Sequence, residues 1–426
     1  MTTLQAQLTQ AQQQATSLLL YQQVLASPVG QAWLALLEAL RLGEPLTTLA
    51  AYGAWFRAIA PSGQPWPTYL AHQILWDENP FSQAVQRREL ADLPPALLAA
   101  AEHDLHLLQA LAAWDGPALA AWVQAIAPLP TPVIPWQAAD DWPAPFAAGE
   151  AWAATLPKLA AHYRQQGSGL LGRYRALRWQ AGALVGIPHP DPMAWEELVG
   201  YEAQKAALLQ NTEALLAGLP ALHVLLYGSR GSGKSSLVKA LLQRLGDRGL
   251  RLVEVPKAEL QQLPAIVETL RDRPQRFILF VDDLSFETDD ETFKALKGVL
   301  EGSLTARTRN VVVYATSNRR HLVREFFADR PRPQEADEIH AWDTLQETLS
   351  FSDRFGLTLT FEPADQERYL AIVRHLALRT DLALPPEELE FRARQWATRH
   401  NGRSGRTARQ CVDALLIEQA LGAAEV

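Results

Sequence analysis

LHVLLYGSRGSGKSSLVKALLQRL, residues 222–245, decides the fold class. Its opening is a short apolar run closed by glycine, which reads as a buried strand. Its end repeats apolar residues at three and four spacing, which reads as a helix. Between them stand Gly228, Ser229, Arg230, Gly231, Ser232, Gly233, Lys234 and Ser235, which satisfy G-x-x-x-x-G-K-[ST]. The three glycines let backbone N–H groups fold inward around phosphate oxygens. The following helix offers its positive end to the same charge, so the cradle runs on to Ser236. Lys234 is expected to reach the outer phosphates of ATP, and Ser235 to ligate Mg2+. The bland alternative is a chance glycine turn with an exposed lysine.

A magnesium site needs a carboxylate at a neighbouring strand tip, and RFILFVDD (276–283) supplies Asp282 and Asp283 after an apolar run. Asp282 is expected to hold the metal through water, and Asp283 to orient the attacking water. Asp283 stands where Glu is commoner and is one methylene shorter, which suits slow turnover; Glu287 is a rival base. Otherwise the pair would merely cap a helix over Thr288–Glu301. LRLVEV (250–255), NVVVYATSN (310–318) and LTLTF (357–361) are further short apolar strands with helical patterns between them. Right-handed crossovers then make a doubly wound parallel sheet, with the ligand crevice at the carboxyl ends of its strands.

Because a strand-and-helix unit separates the phosphate-loop strand from the strand carrying Asp282, and another strand follows, the region resembles the AAA+ branch of P-loop ATPases. The resemblance implies that the 310–318 strand lies between the other two and brings Asn318 to the γ-phosphate and the attacking water. It places Arg354, in LSFSDRFG, as an arginine finger entering a neighbouring subunit's site, and so implies a homo-oligomer. Arg406, in SGRTARQ, takes the sensor 2 position, with Arg403 and Arg409 as rivals. Val199, Gly200 and Tyr201 would border adenine. Three helical patterns after Phe361 resemble the AAA+ lid, where four helices are usual. The plainer readings are a loop-capping Asn318, a salt-bridged Arg354 and a solvated basic face around Arg406.

Outside this region the texture differs. Eleven of thirteen tryptophans lie between Trp33 and Trp195, and residues 1–150 carry four basic against twelve acidic side chains. Such a front end repels phosphate backbones, so binding to nucleic acid is only weakly supported, by Arg319, Arg320 and the run Arg392 to Arg409. Residues 1–127 show amphipathic periodicity and read as an all-helical domain, either a protein-binding module or an appendage that only stabilises the rest. The Pro-rich stretch 128–148 reads as a linker and 149–195 as a helical connector. The nucleotide-binding domain follows over 196–361, and the lid over 362–426. The lone Cys411, the absence of a long apolar stretch and the polar amino terminus fit a cytoplasmic chain with no membrane span.

Taken together, YRALRW, LVGYEAQK, SGKSSLVKALL, FVDDLSFE, YATSNRRHLV, SDRFGLTLTF and SGRTARQ resemble the bacterial ATP-binding family catalogued as domain of unknown function 815, over about residues 160–420. That resemblance implies an AAA+ nucleotide-binding fold and names no substrate. The expected function is an ATPase that couples turnover to conformational change or assembly on a macromolecular partner. The alternative is a nucleotide-gated binding module that hydrolyses little. A peptide-threading unfoldase would carry an aromatic-apolar-Gly loop after the second strand, where this chain has PKAELQQLP (256–264).

Overall fold

The computed structural model describes residues 3–139, 141–285, 291–301, 308–318, 354–400 and 402–423; Glu287, Arg319 and Arg320 lie outside them. The chain forms two compact units, Met1–Arg173 and Tyr174–Val426.

The first unit is helical: α1 (Thr3–Thr16), α2 (Pro28–Leu42), α3 (Pro45–Ile59), α4 (Trp66–Trp76), α5 (Pro80–Val85), α6 (Pro95–Ala112), α7 (Gly116–Ile126), α8 (Leu156–Gln166) and α9 (Gly169–Arg173). Proline stands in the first turn of every helix from α2 to α8. There its missing N–H costs nothing and its fixed φ already suits the helix. Ser27, Asn79 and Asp115 cap α2, α5 and α7 through their side chains. The core takes Trp33, Trp55, Trp66 and Trp152, none more than 2% exposed, and Trp33 stacks on Trp66 at 4.9 Å. Asp104, fully buried, accepts the backbone N–H groups of Leu19, Leu20 and Tyr21 and so fixes the chain between α1 and α2.

The Pro-rich stretch is not a free linker. The Trp136 indole donates to Gln64 O (2.8 Å) and packs edge-on against Phe56, Ile134 O accepts from Tyr52 (2.6 Å), and Phe146 is buried. Proline prevents helix here, but the aromatic residues between the prolines supply enough apolar area to bind the strap to the helices. Leu156, Leu159 and Tyr163 of α8 enter the same core. The unit therefore extends well beyond residue 127.

The second unit is built on a seven-stranded sheet of order β2-β1-β4-β5-β6-β3-β7, comprising β1 (Ala176–Gln180), β2 (Ala183–Gly186), β3 (Val224–Gly228), β4 (Leu250–Glu254), β5 (Arg276–Val281), β6 (Val311–Ser317) and β7 (Leu357–Phe361). All neighbours are parallel except β1 and β2. Helices α10 (Glu202–Leu216), α11 (Lys234–Leu245), α12 (Leu263–Leu270) and α13 (Glu291–Glu301) accompany the sheet. The expected helical connector is corrected at residues 176–186, which make a hairpin. Ala181 and Gly182 both have positive φ (50° and 80°), the turn that matches the twist of a two-residue hairpin. β6 lies between β5 and the phosphate-loop strand β3, the AAA+ order.

Helices α14 (Gln366–Leu378), α15 (Pro386–Arg399) and α16 (Gly405–Ala423) form the lid around Tyr369, Val373, Ala393, Ala408 and Val412. Cys411 belongs to this core, and burial pushes its thiol up to about 11, which keeps it protonated and unreactive near neutrality. Among the described residues no helix is long and apolar enough to cross a membrane.

Candidate functional site

A cleft of ≈ 690 Å³ opens where the carboxyl ends of β3, β5 and β6 meet the lid, and it is lined from Arg230 through Ser236, by Asp282, Asp283, Thr316 and Asn318, and by Val199, Gly200 and Tyr201. Sequence spacing puts these groups together because each strand ends on the same side of a parallel sheet.

The phosphate loop has the shape its glycines require. Gly228, Gly231 and Gly233 have φ of 141°, 74° and 90°, values that L side chains rarely adopt. A Cβ on Gly228 would lie 2.0 Å from Phe361 O, and one on Gly231 would lie 2.8 Å from Ser404 Oγ. The buried Ser232 hydroxyl has no hydrogen-bond partner among the described residues. Such a cradle of inward backbone and an unmatched polar atom fits an oxyanion ligand.

Lys234 is buried, and its ammonium donates to Gly228 O (2.8 Å), Ser229 O (2.8 Å) and Asn318 Oδ1 (3.2 Å). Burial holds its pKa below the ordinary lysine value, opposed by the carboxylates of Asp282 and Asp283. Ser235 Oγ donates to Asp282 Oδ1 at 2.6 Å. The two expected metal-site residues therefore meet directly. Among the described residues no group of three or more His, Cys, Asp or Glu gathers to hold a metal alone. A hydroxyl and one carboxylate suit a hard cation whose remaining ligands are phosphate oxygens and water, as magnesium prefers.

Asp283 has a positive φ of 51°, and its Oδ1 accepts from Asn318 Nδ2 at 2.7 Å. The sequence reading missed Thr316, 1% exposed, which donates to Asp282 Oδ1 (2.5 Å) and accepts from the Asp283 N–H (3.0 Å). Its signal was available, as a hydroxyl near the end of a largely apolar strand, two residues before Asn318. Leu198, which approaches Gly233, was also missed.

The three lid arginines separate. Arg403 donates to Gln366 (3.3 Å) and does not line the cleft. Arg409 lines it but is paired with Glu197 (3.3 Å), which also takes Arg379 (3.2 Å). Arg406 lines it beside Gly231 and has no ion pair among the described residues. Arg354 begins the approach to β7 and is not part of the cleft wall. Tyr201, at φ 58°, donates to Glu362 O, packs on Phe361 at 4.9 Å and lies under the Arg368 guanidinium at 4.7 Å. Burial raises its phenol pKa, which keeps the hydroxyl a donor.

No curated protein sequence matches the chain. Among solved structures, the Thermotoga maritima RuvB Holliday junction branch migration motor aligns at 16% identity over 52% of this chain and 72% of that chain, with a TM-score of 0.33. A substituted form of that RuvB aligns at 17% with the same coverages and TM-score. The fold assignment rests instead on strand order and the phosphate loop. The family described as Protein of unknown function (DUF815) matches residues 172–419, which spans the whole sheet and most of the lid. With an AAA+ sheet, a P-loop and this match over more than half its length, the chain belongs to the DUF815 family of AAA+ P-loop proteins.

Proposed function

We propose that the second unit binds ATP with magnesium in this cleft and hydrolyses it, coupling the cycle to conformational change or assembly on a macromolecular partner. The observation that carries the reading is the 2.6 Å bond from Ser235 to Asp282, which joins the phosphate loop to the tip of β5 where a phosphate-bound cation belongs. In this reading the loop from Gly228 to Ser236 wraps the phosphates and Lys234 neutralises the outer ones. Ser235 and Asp282 hold magnesium, which when bound draws charge from the phosphate oxygens. Asp283 and Asn318 orient the attacking water, and Arg406 reaches the phosphates from the lid. Val199, Gly200 and Tyr201 border the base. Arg354, outside the cleft wall, acts on the site of a neighbouring subunit.

One observation favours a nucleotide-gated module with little hydrolysis. Asp283 is shorter than Glu, and one of its oxygens is already engaged by Asn318. Turnover at saturating magnesium-ATP separates the two readings. Lys234→Ala tests both: a folded variant that has lost ATP affinity supports the site, and one with wild-type affinity removes it. For the helical unit we assign protein recognition. Its fully buried tryptophans serve the core, and Leu19, Leu42, Leu46, Leu129 and Ile134 stand as exposed apolar side chains.

A further inference from the structure

We propose that Thr316 is a positioning residue that assigns the adjacent carboxylates Asp282 and Asp283 to separate tasks, an inference that rests on the cleft taking magnesium with a nucleoside triphosphate. A threonine hydroxyl has one proton and two lone pairs. Here the proton goes to Asp282 Oδ1 and a lone pair receives the Asp283 N–H. With the side chain 1% exposed, water does not compete for either bond.

The consequence for Asp282 is orientation. Its Oδ1 accepts from Ser235 on the phosphate loop and from Thr316 on β6, so its carboxylate is fixed from two elements at once. The consequence for Asp283 is direction. A non-glycine residue at positive φ is disfavoured and persists only where its surroundings hold it. Thr316 holds this turn on both sides, because its hydroxyl takes the Asp283 N–H and its carbonyl takes the Leu284 N–H at 2.7 Å. The turn aims the Asp283 carboxylate at Asn318 instead of at the atoms around Asp282. Without it, two consecutive acids would contend for one cation.

The test uses the full chain with Thr316→Val, which keeps the volume and removes the hydroxyl, and Thr316→Ser, which restores it. In the absence of nucleotide, amide exchange over residues 276–285 should quicken in Thr316→Val and recover in Thr316→Ser. ATP affinity in EDTA should stay within about twofold of wild type, while the added affinity conferred by magnesium should fall by about 10- to 100-fold in Thr316→Val, as when the outer partner of a metal ligand is removed. In turnover, kcat should fall with it and Thr316→Ser should recover both. Wild-type magnesium response in Thr316→Val overturns the proposal. So does a Thr316→Ser chain as impaired as Thr316→Val, since the residue then serves only packing. A wild-type chain without any magnesium-dependent ATP affinity overturns the underlying reading instead, and shows itself before any substitution is made.

Discussion

Asn318 donates its side-chain N–H to Asp283 at 2.7 Å while its side-chain carbonyl accepts from Lys234 at 3.2 Å, so one amide spans the phosphate-loop lysine and the Asp283 carboxylate. Asn318→Ala removes a fixed donor near the reacting centre. We predict that kcat falls on the order of 10²-fold, with equilibrium ATP affinity nearly unchanged, read by turnover and by titration. Undiminished turnover would show that Asn318 only closes the loop.

The lid arginines make a sharper set. Arg406→Ala should weaken ATP by about tenfold or more while ADP is less affected, because the proposed charge-assisted contact to the terminal phosphate would be lost. Arg403→Ala should leave both affinities alone, since its partner Gln366 lies away from the cleft. Equal losses for ATP and ADP in the Arg406 variant would place that side chain elsewhere.

A third expectation concerns pH and the helical unit. Burial pushes the Asp77 carboxyl up to about 6, from 3.8, against the bond from Asn79 that favours its charged form. A raised acid binds more protons folded than unfolded. Its stabilisation is therefore complete below about pH 4 and lost as pH rises through about 6. Asp77→Asn should raise the stability of the unit at pH 7 by at most about 2–3 kcal/mol and give no gain near pH 4. Thermal unfolding of both proteins across that range checks the sign; a gain that grows toward acid pH would contradict it.

Truncation should respect the observed units. A chain beginning at Tyr174 should fold and retain ATP affinity, and should lose protein partners that the helical unit recruits. One beginning at residue 146 keeps α8, whose Leu159 and Tyr163 are fully buried in the full chain. Stripped of α1 to α7, that helix exposes a large apolar face and should promote aggregation. Light scattering of the two proteins distinguishes them, and recovery of the same partners by the Tyr174 chain would move recognition to the sheet or the lid.

The phosphate loop and the Asp282 strand were legible because backbone geometry dictates their residues: glycine where φ is positive, an unbroken apolar run where a strand is covered on both faces; the place of the 310–318 strand followed only from the AAA+ resemblance. Arg406 was set above Arg409 only by the AAA+ resemblance, since the feature that separates them in space, the pairing of Arg409 with Glu197, joins residues over two hundred apart in the chain. The β1–β2 hairpin escaped because its turn is Ala181-Gly182 and not Asn-Gly, and its strands follow directly on helix. The Pro-rich strap was misread by giving prolines more weight than the tryptophans between them.

Gly228 is paired with Phe361 in the β3–β7 ladder, and Ser229 N–H is bonded to Phe361 O at 3.2 Å. At the other end of β7, Leu357 N–H is bonded to His223 O, three residues after Arg354. The strand thus works as a tie rod with one end fixed to the mouth of the phosphate loop and the other beside the arginine. No Cβ-sized gap separates Gly228 from Phe361, so the two strands close tightly on each other at the mouth of the loop. One strand thus sets the spacing between the segment that carries Arg354 and the first residues of the phosphate loop.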